Sequence, residues 1–334
     1  MKHGRVFGLD LIRATAISLV LAAHTGVPGA SGALGVTIFF VLSGYLITGT
    51  MLREFSASGD LSLTRFYIKR SLRIFPAFYV CILLNLGLLK LHGMAINWWS
   101  VAQAGGYVMD YARALAPATQ QTYQFQWITW SLAVEEQFYF LWPLALLTIL
   151  RSAVDPRRAM VWLIGTLWVY RAVIFLAFHV SLTYIYNAFE TRVDALLIGS
   201  FVAILESRSL LPRFTFSPWT LALSLTILAA YSKSEAWFWT HPMATFAAYY
   251  ILPACAAIVL LRSTEIKIKS AAVSWVAALS YSLYLYHTVA LEESHRLSQT
   301  PLTVKSLAIA GTLTLAVLSY YCVERPFMRW RPSF

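Results

Sequence analysis

Leu9-Asp10-Leu11-Ile12-Arg13-Ala14-Thr15-Ala16-Ile17-Ser18-Leu19-Val20-Leu21-Ala22-Ala23-His24 is an apolar run broken at three places by ionisable side chains. Its length is that of a membrane-crossing helix, which needs about 20 residues for a hydrocarbon core about 30 Å thick. Inside such a helix a charged side chain is costly unless it meets a partner or a polar cavity. Asp10 and Arg13 are three residues apart, share a helix face and are placed to pair. Arg13 and His24 are eleven residues apart, close to three turns, so they face the same way about 16 Å from one another. Either one stripe of this helix lines something polar, or Asp10–Arg13 is a buried packing pair and His24 a satisfied interfacial histidine.

The rest of the chain supports the membrane reading. Its 334 residues include 26 Lys+Arg and 15 Asp+Glu, so 12% are charged, against about 25% in an ordinary soluble domain. With 59% hydrophobic residues, 15% aromatics and a mean hydropathy of +0.63, a soluble globule would expose large apolar patches, and a disordered chain is excluded. Ten apolar runs are candidate spans: 6–24, 33–51, 74–91, 132–150, 161–179, 195–206, 217–232, 244–261, 272–290 and 304–322. The expectation is an all-α integral membrane protein of about ten transmembrane helices in one domain over 1–334. Two runs are weak, because 195–206 is short and 217–232 meets Lys233-Ser234-Glu235. The stretch 92–131, with Trp98, Trp99, Gln120, Gln121 and Gln124, reads as an outer segment at the interface.

Charge counting orients the chain, because cytoplasmic loops collect Lys and Arg. With the N- and C-termini cytoplasmic, 18 of the 26 basic residues, Lys2 and Arg5 among them, fall on the inner face and six on the outer. The net charge of +11 is thus mostly topological, and no nucleic-acid partner is needed to explain it. The first run is not read as a cleaved signal peptide, since Asp10 and Arg13 interrupt its apolar centre. Cys81, Cys255 and Cys322 lie in apolar runs without metal-type spacing.

Other polar clusters sit beside the spans. Arg65, Lys69, Arg70 and Arg73 occupy an inner loop before Pro76. Placed on a helix, Arg70 and Arg73 share a face, and guanidinium forks suit phosphates, although anionic lipid is the simpler partner. Ser131, Glu135 and Glu136 open the 132–150 span, with both carboxylates at a helix N-terminus. Glu190, Arg192 and Asp194 precede the 195–206 span, and Tyr281, Tyr284 and His287 approach the outer end of the 272–290 span.

These motifs in order resemble the membrane acyltransferase-3 family: Arg13 to His24, Phe39-Phe40-Val41-Leu42-Ser43-Gly44-Tyr45, Arg70-Ser71-Leu72-Arg73, Trp130-Ser131-Leu132-Ala133-Val134-Glu135-Glu136-Gln137, Arg192-Val193-Asp194, Tyr281-Ser282-Leu283-Tyr284-Leu285-Tyr286-His287 and Glu324-Arg325-Pro326. The resemblance implies a multi-pass bacterial inner-membrane O-acyltransferase. It would use cytoplasmic acyl-CoA, usually acetyl-CoA, and a carbohydrate or glycolipid acceptor, with no metal and no fused extracytoplasmic esterase-like domain. Arg70 and Arg73 match the pair that would hold CoA phosphates, and Arg13 and His24 match residues implicated in acyl transfer. His24 is expected as general base, with an acyl-histidine as the competing scheme, Arg13 as donor or oxyanion ligand, and Glu135 or Glu136 assisting. Asp10, Ser131, Arg192, Asp194, Tyr281, Tyr284 and His287 are expected around the acceptor or behind these groups. Beyond membrane lipids, homo-oligomerisation is left open. The alternative is a transporter or flippase binding a solute at Asp10–Arg13, and a third reading, an accessory scaffold, leaves Arg13 and His24 unexplained.

Overall fold

The computed structural model describes residues 6–116 and 128–330. Among the described residues there are fifteen α-helices and no strand. They are α1 Phe7–His24, α2 Gly32–Ser58, α3 Leu63–Leu91, α4 Trp98–Gly105, α5 Met109–Leu115, α6 Thr129–Arg151, α7 Pro156–Leu176, α8 Leu182–Asn187, α9 Phe189–Ser207, α10 Pro218–Lys233, α11 Glu235–Thr240, α12 Pro242–Ser263, α13 Ala271–Leu297, α14 Pro301–Ser319 and α15 Arg325–Arg329, the last two joined by a π-helical turn, Tyr320–Glu324. Lys2, Arg5, Gln120, Gln121 and Gln124 lie outside the described residues.

Short polar side chains decide where several helices begin, by accepting from amides that the first turn leaves unpaired. Ser31 Oγ accepts from Leu34 N at 3.0 Å, Ser62 Oγ from Arg65 N at 3.4 Å and Ser270 Oγ from Val273 N at 3.4 Å. Gly59, at φ +75°, ends α2 in the left-handed conformation that favours glycine. Because these caps lie outside the apolar runs, the helices outlast the runs, and three expectations are corrected. The basic stretch 65–73 is not a loop but the first turns of α3, continuous through Pro76. Glu135 and Glu136 lie in the second turn of α6, which starts at Thr129, beyond the reach of the helix dipole. Arg192 and Asp194 are inside α9 rather than before it.

All ten apolar runs fall on helices. Among the described residues, seven segments are long and apolar enough to cross a membrane: α1, α2, α3, α6, α7, α12 and the continuous Pro301–Arg329. The runs on α9, α10 and α13 fall short of that standard. Only 16 residues form α10, while Glu190, Arg192 and Asp194 dilute α9, and Ser, Tyr and charged side chains dilute α13. Trp162 and Trp219 are more than three-quarters exposed and many aliphatic side chains point outward, as they do on a surface facing lipid.

Side-by-side packing of α1 against α2 and α13, and of α2 against α9, frames the interior. The α2–α9 crossing is closed by two glycines. A Cβ at Gly44 would stand 1.8 Å from the Leu196 carbonyl oxygen, and one at Gly199 would stand 2.0 Å from the Val41 oxygen. Small residues let membrane helices approach this closely and gain dispersion contact. Gly165, on α7, has nothing within 4 Å of its would-be Cβ. Gly44→Ala and Gly199→Ala should each lower stability by about 1–3 kcal/mol through overpacking, whereas Gly165→Ala should be near neutral; thermal unfolding in detergent measures the difference.

Candidate active site

A cavity of about 290 Å³ opens between α1, α2, α3, α6 and α13. Its wall on α2 is a continuous stripe from Val36 to Glu54, 18 residues or about 27 Å of helix. Two further helices each give it one face at intervals of four residues. Arg65, Lys69 and Arg73, with Arg70 beside them, come from α3; Ser131, Glu135 and Tyr139 come from α6. Arg13 reaches in from α1, and Ser280, Tyr281 and Tyr284 from α13. Five basic side chains line the cavity against three acidic ones, Glu54, Glu135 and Glu136, while Phe39, Phe40, Leu42, Leu46 and Ile47 keep its middle apolar.

Neighbouring side chains hold the cationic groups, Arg65 by an ion pair with Glu54 at 3.9 Å. The Arg70 guanidinium lies flat on the Tyr139 ring, 3.6 Å from its centroid, and its buried Nε has no hydrogen-bond partner. Ser43 and Tyr139 hydroxyls bond each other beneath it. Glu135 and Glu136 are neighbours of Arg70, and Arg73 has Glu324 and Glu135 nearby. Glu324 is buried in the π-helical turn and accepts from Ser282. Tyr281 donates to the Ile74 carbonyl at 3.0 Å, and the Ser131 and Tyr284 hydroxyls are 2.5 Å apart. An apolar waist with a basic rim and an arginine Nε left without a hydrogen-bond partner suits an elongated, partly apolar anion.

His24 is not in this cavity. It lines a separate pocket of about 80 Å³ between α1, α13 and α14, opposite His287. His24 Nδ1 is 2.9 Å from the Val20 carbonyl and 3.2 Å from His287 Nε2, and His287 Nδ1 is 2.7 Å from the Tyr284 carbonyl. The two pockets nevertheless approach each other. A Cβ at Gly32 would lie 3.6 Å from His24 Cε1, and Val36, one helical turn along α2, lines the larger cavity.

Asp10, Asp194 and Arg192 make contacts between helices. Asp10 is buried and accepts from Ser274 Oγ at 2.8 Å, tying α1 to α13. Asp194 pairs with Arg171 of α7 at 2.9 Å, each almost wholly buried, and also accepts from Trp168 Nε1. Arg192, 1% exposed, donates to Thr37 Oγ1 at 2.9 Å and sits over the rings of Phe40, Tyr186 and Tyr249. Outside the spans, the Asp110 carboxylate accepts from Gln137 Nε2 at 3.0 Å, and burial pushes its pKa up to about 6. Sequence reasoning assigned no role to Ser43, Tyr139, Glu324 or Arg171. Ser43 and Glu324 stood in quoted motifs, and Tyr139 follows Ser131 and Glu135 at the same helical spacing. Arg171, an arginine inside an apolar run, signalled a buried partner. Among the described residues no group of three His, Cys, Asp or Glu is placed to hold a metal.

Residues 6–321 match the family described as an acyltransferase domain. The chain belongs to this family. Among relatives of the family, it is 27% identical over 366 residues to a putative O-acetyltransferase of Staphylococcus aureus strain COL, covering 98% of this chain and 59% of that one. It is 30% identical over 358 residues to the peptidoglycan O-acetyltransferase OatA of Listeria monocytogenes, covering 96% and 55%. It is 27% identical over 361 residues to the O-acetyltransferase OatA of Staphylococcus aureus strain NCTC 8325, covering 96% and 57%. The chain thus spans a little over half the length of these acyltransferase-family relatives. No solved structure gives a significant match.

Asp194→Asn alone leaves the Arg171 charge buried without its anion and should cost about 3–5 kcal/mol, whereas Arg171→Met with Asp194→Leu should cost much less. Unfolding of the three proteins in the same detergent gives the comparison.

Proposed function

We propose that this multi-pass membrane protein is an acyl-CoA-dependent O-acyltransferase of the bacterial inner membrane. It takes an acyl group, acetyl in the simplest case, from the cytoplasmic side and passes it to a hydroxyl of a carbohydrate or glycolipid acceptor. Ten helices cross the bilayer in this reading, with both termini cytoplasmic. The observation that carries it is the cavity, basic around Arg65, Lys69, Arg70 and Arg73 and ending within a turn of the helix position that abuts His24. The O-acetyltransferase names of the relatives, one a peptidoglycan O-acetyltransferase, support acetyl as the group and a glycan as the acceptor.

Arg70 and Arg73 hold the donor phosphates, a task guanidinium forks perform by paired charge-assisted hydrogen bonds. Glu135, Glu136 and Tyr139 keep Arg70 in place. The apolar waist takes the pantetheine arm, and Arg13 bonds its polar groups on the way. Arg13 is about 16 Å along α1 from His24, so holding the donor suits it better than acting on the same reacting atom. At the outer end His24 Nε2 takes the proton of the acceptor hydroxyl as its oxygen attacks the thioester carbonyl carbon. The new C–O bond forms, the C–S bond breaks, and the sulfur leaves with the proton returned by His24. Proton transfer by a positioned histidine contributes about 10²- to 10⁴-fold.

Transfer of labelled acetyl from acetyl-CoA to envelope material in membrane vesicles tests this reading. His24→Ala should reduce transfer by at least about 100-fold, and Arg13→Ala should be comparably impaired with normal membrane insertion; activity within a few-fold of wild type in either sinks the assignment. Arg70→Ala should raise the acetyl-CoA concentration for half-maximal rate about tenfold, the loss of about 1.4 kcal/mol of binding. An unchanged donor requirement would instead make the arginines lipid anchors. Mass spectrometry of envelope glycans with and without the protein then identifies the acceptor by its lost acyl mass.

A further inference from the structure

We infer that His287 is the positioning residue for His24: it accepts the His24 Nδ1 hydrogen and stabilises the positive charge that His24 acquires on taking up a proton at Nε2. This rests on His24 being the base. A backbone carbonyl accepts and never donates, so each ring nitrogen facing one must carry hydrogen. His24 Nδ1 faces the Val20 carbonyl at 2.9 Å, and His287 Nδ1 faces the Tyr284 carbonyl at 2.7 Å. In both neutral rings the hydrogen is therefore on Nδ1 and the lone pair on Nε2. His287 Nε2, with its lone pair, stands 3.2 Å from His24 Nδ1, so the His24 hydrogen is shared between the Val20 oxygen and the His287 nitrogen. That leaves His24 Nε2 as the basic nitrogen.

A catalytic histidine is usually oriented by a carboxylate behind it; here the group behind it is a second imidazole. The rings are tilted by 47° with centroids 4.8 Å apart, so they meet edge to edge through nitrogen rather than stacking. His287 is 4% exposed and its own ring lies 5.6 Å from that of Tyr284, which lines the larger cavity. It is thus fixed from the cavity side and presents a single acceptor to His24. When the acceptor hydroxyl gives its proton to His24 Nε2, the Nδ1–H becomes a charged donor. Its bond to His287 strengthens at the moment the positive charge appears. No proton leaves the pair in this step: the positive charge on His24 is stabilised by the His287 lone pair until His24 Nε2 passes the hydroxyl's proton to the departing sulfur.

Three histidine variants and one spectroscopic measurement test the inference. In membranes where wild type transfers acetyl and His24→Ala does not, His287→Phe should lower kcat by at least about tenfold, with the KM for acetyl-CoA unchanged. His287→Gln, whose amide oxygen can accept from His24 Nδ1, should recover part of the loss. His287→Phe with wild-type kcat, or His287→Gln no better than His287→Phe when both unfold at the wild-type temperature, overturns the inference while leaving the base assignment standing. An active His24→Ala overturns the base assignment instead. Independently of activity, 15N-histidine-labelled wild type should show a nitrogen–nitrogen coupling across the His24–His287 hydrogen bond. It should vanish in His24→Ala and in His287→Phe, and its absence from folded wild type overturns the inference outright.

Discussion

A charge within the thickness of a bilayer must have a partner or water, and the architecture of this chain follows from how it meets that demand. Asp10 takes Ser274, Arg171 takes Asp194, and Arg192 takes a hydroxyl and three aromatic faces. These solutions consume polar groups and pin helices together. Arg13, Arg70 and Arg73 form a second set, which converges on a cavity with more positive than negative lining. The first set explains why the bundle holds together, and the second explains what it encloses.

The cavity and the histidine pocket lie at two levels of α1. At the Arg13 level the surroundings are cationic and suited to holding an anion, while at the His24 level a small, largely apolar pocket surrounds two imidazoles. A low-polarity setting strengthens a hydrogen bond between them. In the proposed function the same helix therefore carries a binding level and a chemical level, and its rise of about 1.5 Å per residue sets their separation. Tyr284 touches both levels: its ring faces the larger cavity and its carbonyl holds His287.

Much of this was legible in the sequence, because hydrophobic runs and stray charges are local signals. The ten runs fall on helices, and Arg13, Arg70, Arg73, Glu135, Glu136, Ser131, Tyr281 and Tyr284 do share one cavity. Helix ends were not legible from hydrophobicity. Ser62 starts α3 well before the apolar run begins, which turns a supposed loop into a rigid helical face. Pairings between distant segments were not legible either. Asp194 belongs to Arg171, 23 residues earlier, and His24 meets His287 across 263 residues of chain. Nothing in local spacing distinguishes such partners from a carboxylate or histidine that faces a substrate.

The Arg192-Val193-Asp194 tripeptide has one more consequence. Two residues on a helix are about 200° apart around its axis, so these neighbouring charges point to nearly opposite sides. Arg192 reaches α2 through Thr37, and Asp194 reaches α7 through Arg171. Turning α9 about its axis in either direction strips at least one charge of its partner, and sliding it drives Gly44 and Gly199 out of register with the carbonyls they clear. The helix is thus keyed against both rotation and translation. Because α9 backs the side of α2 away from the cavity, that wall behaves as a fixed rail, and the length of the cavity along α2 is set by the backbone rather than by adjustable side chains.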